Sequence, residues 1–275
     1  MAKLELANTV VAITGASGEL GRGLAWALSA RGARLALMDL DEDTVTEQAQ
    51  ALGNPAHARG WSVDVRSMSA LQNAMDAAAA HFGRIDVVIA NAGVATLEPL
   101  AAQTPKSFER VIDINVNGVF RTFKAAHPHI AASRGHLLAI ASMASFFHSP
   151  MQGAYAASKA AVWALCDSIR VELRHTGVTV GSVHPTFFKT PLADRLTENA
   201  AGRTLYNGNR GLFRKTTLGA VVGATISAIE RRAETAVIPR HHWVIAAWPM
   251  LMRRLTDRIL FRDSAIAKAM SELEH

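Results

Sequence analysis

The fold is decided near the start of the chain by the segment Thr14-Gly15-Ala16-Ser17-Gly18-Glu19-Leu20-Gly21. The β-branched run 9–14 before it predicts a strand, and the pattern that begins at 19 predicts a helix. Glycines in such a turn let the backbone bend tightly and approach a pyrophosphate, whose charge then faces the free N–H groups of the helix N-terminus. The segment therefore predicts a dinucleotide-binding turn.

Short apolar runs alternate with longer helical patterns along the rest of the chain. The predicted strands are 9–14, 34–39, 57–63, 85–90, 136–141, 178–183 and 236–238, and the predicted helices are 19–31, 42–53, 67–82, 105–132, 151–175 and 216–233. Alternation at this spacing implies parallel strands joined by helical crossovers, and strands covered on both faces need the almost uninterrupted apolar runs seen here. The predicted fold class is α/β: a single-domain, Rossmann-like, doubly wound parallel sheet of about seven strands, with helices on both faces.

Length and composition fit one globular domain. The chain has 275 residues, of which 49% are apolar and 19% are charged, enough for one large core. Cys166 is the single cysteine, so no intramolecular disulfide is expected, and no signal peptide or membrane-spanning run is visible. A cytoplasmic location is the expectation. The net charge of +6 comes without a cluster of basic and aromatic residues, which argues against nucleic-acid binding.

An acidic residue ends the second predicted strand. Asp39 follows Gly21 by 18 residues, close to the offset of about 20 expected for a ribose-binding acid. A carboxylate there accepts hydrogen bonds from ribose hydroxyls and repels a 2′-phosphate, and neither Glu19 nor Leu40 beside it is basic. This favours NAD over NADP. The alternative is that Asp39 only caps the helix beginning near Asp41.

A second motif lies in the predicted helix 151–175. Tyr155 and Lys159 are four residues apart and so project from one face, while Ser142 ends the fifth predicted strand. A phenol has a free pKa of about 10, and a nearby ammonium lowers that pKa by stabilising the phenolate. Tyr155 is therefore a candidate general acid/base tuned by Lys159, and the Ser142 hydroxyl can hold a substrate oxygen. An exposed i,i+4 pair is the alternative, but it leaves Ser142 unexplained.

Four blocks together resemble the short-chain dehydrogenase/reductase family, in its short single-domain branch, as far as about residue 240. They are the glycine-rich turn, the residues Asn91-Ala92-Gly93 after the fourth strand, the helical segment 114–120, and the set of Ser142, Tyr155 and Lys159. Glu19 and Thr186 depart from the pattern, because the family usually has glycine at both positions.

The resemblance implies a role for each matching residue. Asn115 joins Ser142, Tyr155 and Lys159 as the catalytic set, holding a water that relays protons to the lysine. The implied dinucleotide contacts are Gly15, Ser17, Gly18, Glu19, Leu20, Gly21, Asp39, Asp64, Val65, Asn91, Ala92, Gly93, Tyr155, Lys159, Pro185 and Thr190. The expected substrate contacts are Ser142, Tyr155, Phe147, His148, Gln152 and Phe187. If the aromatic residues among them line the cavity, the cavity is large and apolar. The alternative is that several of them pack in the core. No metal site is predicted, because the histidines lack paired ligand spacing.

The predicted function is an NAD(H)-dependent oxidoreductase that interconverts a secondary alcohol and a ketone on a hydrophobic small molecule, such as a hydroxysteroid, aryl or aliphatic alcohol. The alternatives are a redox sensor that binds the dinucleotide without turnover, and another reaction on the same scaffold, such as dehydration or epimerisation. The helices 105–132 and 151–175 resemble those that form a four-helix contact between subunits in this family, so a homodimer or homotetramer is expected.

The chain divides into a catalytic domain over 1–240, a helical extension over 241–272 and a segment 273–275 that resembles a tag remnant. Within the domain, 192–215 is the least regular part and is expected to be a lid or binding loop. In the extension, Trp248, Met252, Leu255 and Ile259 follow helical spacing beside an arginine stripe. We expect this helix to pack over an active site of its own or a neighbouring subunit. The alternative is weak contact with an anionic membrane surface.

Overall fold

The computed structural model describes residues 3–197, 199–249, 251–252 and 261–272. Its centre is a parallel sheet of seven strands in the order β3-β2-β1-β4-β5-β6-β7. The strands are β1 (Val10–Thr14), β2 (Arg34–Asp39), β3 (Ala58–Ser62), β4 (Val87–Ala90), β5 (His136–Ile140), β6 (Thr179–Pro185) and β7 (Thr235–Ile238). This confirms the predicted Rossmann-like, doubly wound fold.

Helices cover both faces of the sheet. They are α1 (Glu19–Ser29), α2 (Glu42–Leu52), α3 (Met68–Phe82), α4 (Pro105–Ile112), α5 (Gly118–Ser133), α6 (Gly153–Leu173), α7 (Pro191–Thr197), α8 (Ala200–Leu205), α9 (Leu218–Glu230), α10 (Trp243–Ala247) and α11 (Asp263–Ser271). Several begin at a side chain that accepts a backbone N–H bond, such as Asp41 before α2 and Ser67 before α3. Such caps pair amide groups that the first helical turn leaves without partners.

Two apolar layers hold the helices to the sheet. Along β1, Val10 and Ala12 face one layer, and Val11 and Ile13 face the other. All four side chains are fully buried, because a parallel strand covered by helices has no solvent-facing side. Burying a Val or Ile side chain contributes about 1.5–3 kcal/mol, so these apolar runs are what stabilise the sheet.

The predicted helix over 105–132 is interrupted. A π-helical turn, Asp113–Asn117, separates α4 from α5 and contains Asn115, which is fully buried. A π-turn inserts one extra residue into a helix and is frequent at functional sites. Here the polar side chain of Asn115 bonds to neighbouring backbone and side-chain groups inside the fold, an arrangement that simple helical periodicity does not predict.

The prediction that 192–215 is irregular is wrong, because α7, α8 and two short 3₁₀ turns occupy most of it. An aromatic cluster stabilises these short elements: Tyr206 and Phe213 pack with Phe261, and α8 packs against α11. The base of the segment is closed, because the Thr216 amide donates to the Phe187 carbonyl at 2.8 Å.

Phe261 and α11, both in the C-terminal extension, pack on the chain's own aromatic cluster and α8. The packing of the helix expected before them, around Trp248 to Ile259, stays a prediction. Trp248 lies just after the short α10 and is exposed. Outside the described residues lie Leu255, Ile259, the stripe arginines Arg254 and Arg258, and 273–275. None of the helices in the described ranges is both long and apolar enough to cross a membrane.

Candidate active site

The carboxyl ends of the strands open into one cavity of about 640 Å³. Every predicted block of the site contributes to its lining, although Gly21, Asn115 and His148 themselves are not among the lining residues. The lining includes Gly15, Ser17, Gly18, Glu19, Leu20, Asp39, Asp64, Val65, Asn91, Ala92, Gly93, Ser142, Phe147, Gln152, Tyr155, Lys159, Pro185, Phe187 and Thr190. Ligands of open parallel sheets bind at this edge, so the topology brings together residues that are far apart in the sequence.

The glycine-rich turn is shaped for close approach. Gly15 has φ +65°, and a Cβ there would lie 2.7 Å from the Cα of Ala92. A Cβ on Gly21 would overlap the Gly15 carbonyl oxygen, so Gly21 packs α1 against the turn and does not line the cavity. The buried hydroxyl of Ser17 has no hydrogen-bond partner within the described part of the chain. A turn with open backbone and an unpaired hydroxyl fits a dinucleotide phosphate group.

Asp39 is tied to this turn. One carboxylate oxygen accepts the Ser17 amide at 2.8 Å, and the other accepts the Leu40 amide at 2.8 Å. The cap of α2 is instead Asp41, whose side chain accepts the Thr44 amide at 2.7 Å. The alternative in which Asp39 merely caps that helix is therefore wrong, and its carboxylate lines the cavity beside the turn.

A cation that sequence reasoning missed, Arg66, lines the same cavity as Asp39. Arg66 forms an ion pair with Asp64, in which Nη2 and Oδ2 are 2.6 Å apart. Hydrogen bonding from Arg66 lowers the pKa of the Asp64 carboxyl below its ordinary value, although partial burial opposes this. The sequence contains the signal, since Arg66 follows Asp64 by two positions and Val65 by one. The guanidinium is already paired with a carboxylate.

The segment after β4, residues 91–94, lines part of the cavity. The Asn91 side chain donates to the Gly15 carbonyl at 2.8 Å and so connects this segment to the glycine-rich turn. A Cβ on Gly93 would lie 3.3 Å from Oδ1 of Asn115 and 3.6 Å from Nζ of Lys159. A larger residue at Gly93 would therefore press on two members of the predicted catalytic set.

The predicted catalytic side chains lie together on α6 and after β5. Nζ of Lys159 donates to the Ile140 carbonyl at 2.8 Å and lies 5.6 Å from the centre of the Tyr155 ring. The Tyr155 and Ser142 side chains lie close enough on the cavity wall for the Ser142 hydroxyl to influence the Tyr155 phenol. The Ser142 hydroxyl also accepts the Ala144 amide at 3.1 Å. A phenol, a hydroxyl and an amine thus lie side by side on one cavity wall.

Burial dominates the acid–base properties of this group. It raises the pKa of Tyr155 above its ordinary value, and the hydrogen bond from Ser142 only partly opposes the rise. The net shift of the Tyr155 pKa is therefore upward, so burial outweighs any lowering of that pKa by Lys159. Burial also lowers the pKa of Lys159 to about 8. Both shifts have one cause, since the low-dielectric wall disfavours a charge on either side chain.

Asn115 connects the π-turn to α6. Its Oδ1 accepts the Val94 amide at 2.8 Å, and its Nδ2 donates to the Val94 carbonyl and to the Ser158 hydroxyl, both at 2.9 Å. The Ser158 hydroxyl in turn donates to the Tyr155 carbonyl at 2.7 Å. The side chain thereby links the segment after β4 to the backbone that carries Tyr155.

His184 is a site residue that sequence reasoning did not assign. It is fully buried in β6, with Nδ1 3.1 Å from the Ser142 carbonyl and Nε2 2.9 Å from the Ser182 hydroxyl. Burial lowers its pKa to about 4, so the imidazole is neutral near pH 7 and can donate through Nδ1. Its one sequence signal is a polar residue inside an apolar strand.

The predicted substrate contacts divide into two groups. Phe147, Gln152 and Phe187 line the cavity, whereas His148 is not among the described lining residues. Residues of the 192–215 segment complete the wall, since Ala193, Leu196 and Phe213 also line it. No group of three or more His, Cys, Asp or Glu side chains that could hold a metal occurs in the ranges that the structure describes.

Comparison with known proteins agrees with this geometry. The family model described as short chain dehydrogenase matches residues 9–201. An uncharacterized oxidoreductase of Staphylococcus epidermidis is 33% identical over 195 residues, covering 70% of this chain and 83% of the relative. The D-threitol dehydrogenase of Mycolicibacterium smegmatis is 32% identical over 202 residues, covering 73% and 78%. The crystal structure of a short-chain type dehydrogenase/reductase from Mycobacterium marinum aligns with a TM-score of 0.76 at 26% identity, covering 85% of this chain and 95% of that one.

The chain belongs to the short-chain dehydrogenase family, as the sequence resemblance predicted. Members of this family are oxidoreductases that bind a nicotinamide dinucleotide and act on small molecules. Both properties fit the cavity. The glycine-rich turn after β1 lies at one part of it, and Ser142, Tyr155 and Lys159, which carry exchangeable protons, lie after β5 and on α6.

Proposed function

We propose that the protein is an NAD(H)-dependent oxidoreductase that interconverts a secondary alcohol and a ketone, with Tyr155 as the general acid/base. The observation that carries the proposal is the grouping of Tyr155, Ser142 and Lys159 in the cavity that also contains the glycine-rich turn. When bound, the dinucleotide would accept or supply the hydride.

Each side chain has one task in the proposed reaction. The Ser142 hydroxyl holds the substrate oxygen, and the neutral Tyr155 phenol donates a proton to that oxygen as a ketone is reduced. In the oxidation direction the phenolate form of Tyr155 takes the proton from the alcohol and becomes the neutral phenol. A raised Tyr155 pKa keeps the phenol protonated near pH 7, which suits reduction. Lys159 is fixed by the Ile140 carbonyl, where its ammonium favours the phenolate that proton donation leaves.

Residues around the rest of the cavity would hold the dinucleotide. The turn formed by Gly15, Ser17, Gly18, Glu19 and Leu20 would bind the pyrophosphate, and the unpaired Ser17 hydroxyl supports this assignment. Asp39 would bind the adenosine ribose and repel a 2′-phosphate, which favours NAD. The adenine side would be Asp64 and Val65, and the nicotinamide side would be the Asn91–Gly93 segment, Pro185 and Thr190.

Three further properties belong to the proposal. Phe147, Phe187 and Phe213 give the substrate end an apolar wall, which favours a hydrophobic alcohol or ketone. Exposed apolar side chains on α5 and α6 favour a homodimer or homotetramer. The proposed location is the cytoplasm. Exposed Trp243 and Trp248 favour weak contact of the extension with a membrane surface.

The test is a screen of hydroxysteroids, aryl alcohols and aliphatic secondary alcohols with NAD and, separately, with NADP. NADH formation is followed by absorbance, and the ketone product is identified by mass spectrometry. Stoichiometric ketone and NADH, formed faster than NADPH, would support the proposal. Dinucleotide binding with no turnover across the panel favours a redox sensor, and product formation without net NADH favours dehydration or epimerisation.

A further inference from the structure

His242 occupies a part of the cavity wall that the proposed reaction does not use. It ends the 3₁₀ turn Arg240–His242 after β7, and its amide donates to the Pro239 carbonyl at 3.1 Å. The side chain is only 6% exposed and lines the cavity that contains Ser142 and Tyr155. The strand order explains this placement, because β7 pairs with β6 and β6 pairs with β5, which ends beside Ser142.

The imidazole of His242 carries unused hydrogen-bonding capacity. Its Nδ1 is buried and has no hydrogen-bond partner among the residues that the structure describes. Burial, with a smaller contribution from the neighbouring His241, lowers the pKa of His242, so the ring is neutral near pH 7. A neutral imidazole offers one donor and one acceptor. A buried polar atom left unpaired is unfavourable for folding and therefore requires an explanation.

Gln152 repeats the pattern elsewhere on the same wall. It is 2% exposed and lines the cavity, and its Nε2 is buried without a partner among the described residues. Phe147, Phe187 and Phe213 give the same cavity an aromatic part of its lining. An apolar chamber with a few convergent polar groups is typical of a site that orients its ligand through those groups.

We propose that His242 is a specificity-determining residue that hydrogen-bonds a second, uncharged oxygen of the substrate, separate from the oxygen held by Ser142 and Tyr155. The substrate class is then a diol, a hydroxyketone or a diketone on an apolar skeleton. A hydroxyl or carbonyl group pairs with a neutral buried imidazole at a smaller desolvation cost than a charged group does. The inference rests on the proposed alcohol–ketone activity and names the substrate class of that site.

The test compares matched substrates that differ only in the second oxygen. Catalytic efficiency with NAD is measured for cyclohexanol and for the 1,2-, 1,3- and 1,4-cyclohexanediols. At least one diol should exceed cyclohexanol by about tenfold in the unmodified protein, as expected for one additional hydrogen bond. His242→Phe keeps a ring but removes both nitrogens, so it should abolish the preference while changing the cyclohexanol efficiency by less than about threefold.

His241→Phe is the matched control, because His241 is adjacent in the chain, exposed, and absent from the described lining of the cavity. It should retain the diol preference. His242→Asn keeps a polar nitrogen near the position of Nδ1, so it should retain part of the preference and serves if the phenylalanine variant does not fold. A preference that survives in His242→Phe, or no diol preference in the unmodified protein, would overturn the proposal.

A second readout separates this inference from the proposed activity. Imidazole ¹H–¹⁵N NMR signals are recorded with and without NAD, and the His242 signals are identified by their loss in His242→Phe. The preferred diol should shift these signals and cyclohexanol should not. If no alcohol is turned over but the diol still shifts them, the alcohol–ketone proposal fails while the His242 contact stands. If alcohols are turned over but the diol leaves the His242 signals unchanged, His242 does not bind the substrate and this inference fails while the alcohol–ketone proposal stands.

Discussion

The amide of Ser17 donates a hydrogen bond of 2.8 Å to the carboxylate of Asp39. The bond joins the glycine-rich turn after β1 to the end of β2, so Asp39 has a structural task before any ligand binds. The other carboxylate oxygen accepts the Leu40 amide. A carboxylate held by two amides has a fixed position, and this is the position from which it would select the dinucleotide.

Asp39→Ala should therefore have two effects. It removes the repulsion of a 2′-phosphate, so the ratio of catalytic efficiencies with NAD and NADP should fall by about tenfold or more. It also removes the acceptor of two amides, which should lower the free energy of unfolding by about 1–2 kcal/mol. Steady-state kinetics with both dinucleotides and urea unfolding measure the two effects.

Asp39→Asn separates charge from geometry at the same position. It loses the charge but keeps one side-chain acceptor, so it should narrow the NAD preference nearly as much as the alanine variant does. Its loss of stability should be smaller. Equal efficiency with NAD and NADP in the unmodified protein would contradict the assignment of Asp39 as the selecting group.

The two tyrosines of the chain offer a matched test of proton transfer. Tyr155→Phe keeps the ring and loses the proton, so turnover should fall by about 10²–10⁴-fold or more while NADH binding changes little. Tyr206→Phe removes the other phenol, which bonds to the Ser149 hydroxyl at 2.7 Å and packs in the aromatic cluster. That variant should lose about 1 kcal/mol of stability and retain most turnover. Near-normal turnover in Tyr155→Phe contradicts the proposed mechanism.

Local sequence patterns were enough to predict the sheet. Every predicted strand is present and shifted by at most a few residues, because a buried parallel strand must be apolar along its whole length. The residues at the glycine-rich turn, Asp39 and the Tyr155–Lys159 pair were found for a similar reason. Each combines a residue type with a spacing that one local structure requires.

The missed residues are those whose role depends on tertiary contact. His184 lies beside Ser142 and His242 enters the cavity only because β5, β6 and β7 are adjacent, and neither histidine has a spacing motif. The pKa of Tyr155 was expected to fall because Lys159 is four residues away, but burial, which sequence spacing does not reveal, dominates. The helices of 192–215 likewise depend on packing against Phe261 and α11, far along the chain.

Two buried histidines should make the fold sensitive to acid. Burial, aided by the nearby charge of Arg232, lowers the pKa of His136 to about 3, and burial lowers that of His184 to about 4. Below the unfolded-state pKa near 6.5, the unfolded chain binds protons that the folded chain does not, so stability falls as pH decreases. Each histidine should contribute a slope of up to about 1.4 kcal/mol per pH unit between pH 6 and 4.

His136→Leu should reduce that slope by one histidine's contribution, whatever it does to the absolute stability. Urea unfolding at pH 7.5, 6 and 5 measures the slope. His175→Leu is the control, since His175 is exposed, and its slope should match that of the unmodified protein. An unchanged slope in His136→Leu would mean that this histidine is not buried in its neutral form.

Exposed apolar groups on α5 and α6 should lie in a subunit interface. Phe120 is 50% exposed and Val171 is 58% exposed, and exposed Ala157 and Ala164 on α6 permit close helix approach. Light scattering should give two or four times the chain mass of 29.5 kDa. Phe120→Lys should shift the population toward monomer. Trp26→Lys changes a similarly exposed aromatic residue on α1 and should leave the assembly intact. If Trp26→Lys gives monomers and Phe120→Lys does not, the interface lies elsewhere.

The segment 192–215 is expected to act as a lid that moves as a unit. Its base is closed by the Thr216–Phe187 hydrogen bond, and Lys215 pairs with Asp194 at 2.7 Å across the segment. Thr204 donates to Glu272 at 2.8 Å, which connects α8 to the end of α11. Hydrogen exchange with NADH and a ketone analogue should show protection gained in this segment relative to the free protein.

Lys215→Met tests whether the internal ion pair holds the segment together. Without its cation, the Asp194 carboxylate is left partly buried and unpaired, so the free protein should exchange faster over this segment, and KM for a hydrophobic ketone should rise more than kcat falls. Arg231→Met, at an exposed cation outside the segment, is the control and should change neither quantity. Identical exchange with and without the ligands would show that the segment is a static wall. Exclusion of water during reaction would then depend on the fixed aromatic contacts of Phe147, Phe213 and Phe261 alone.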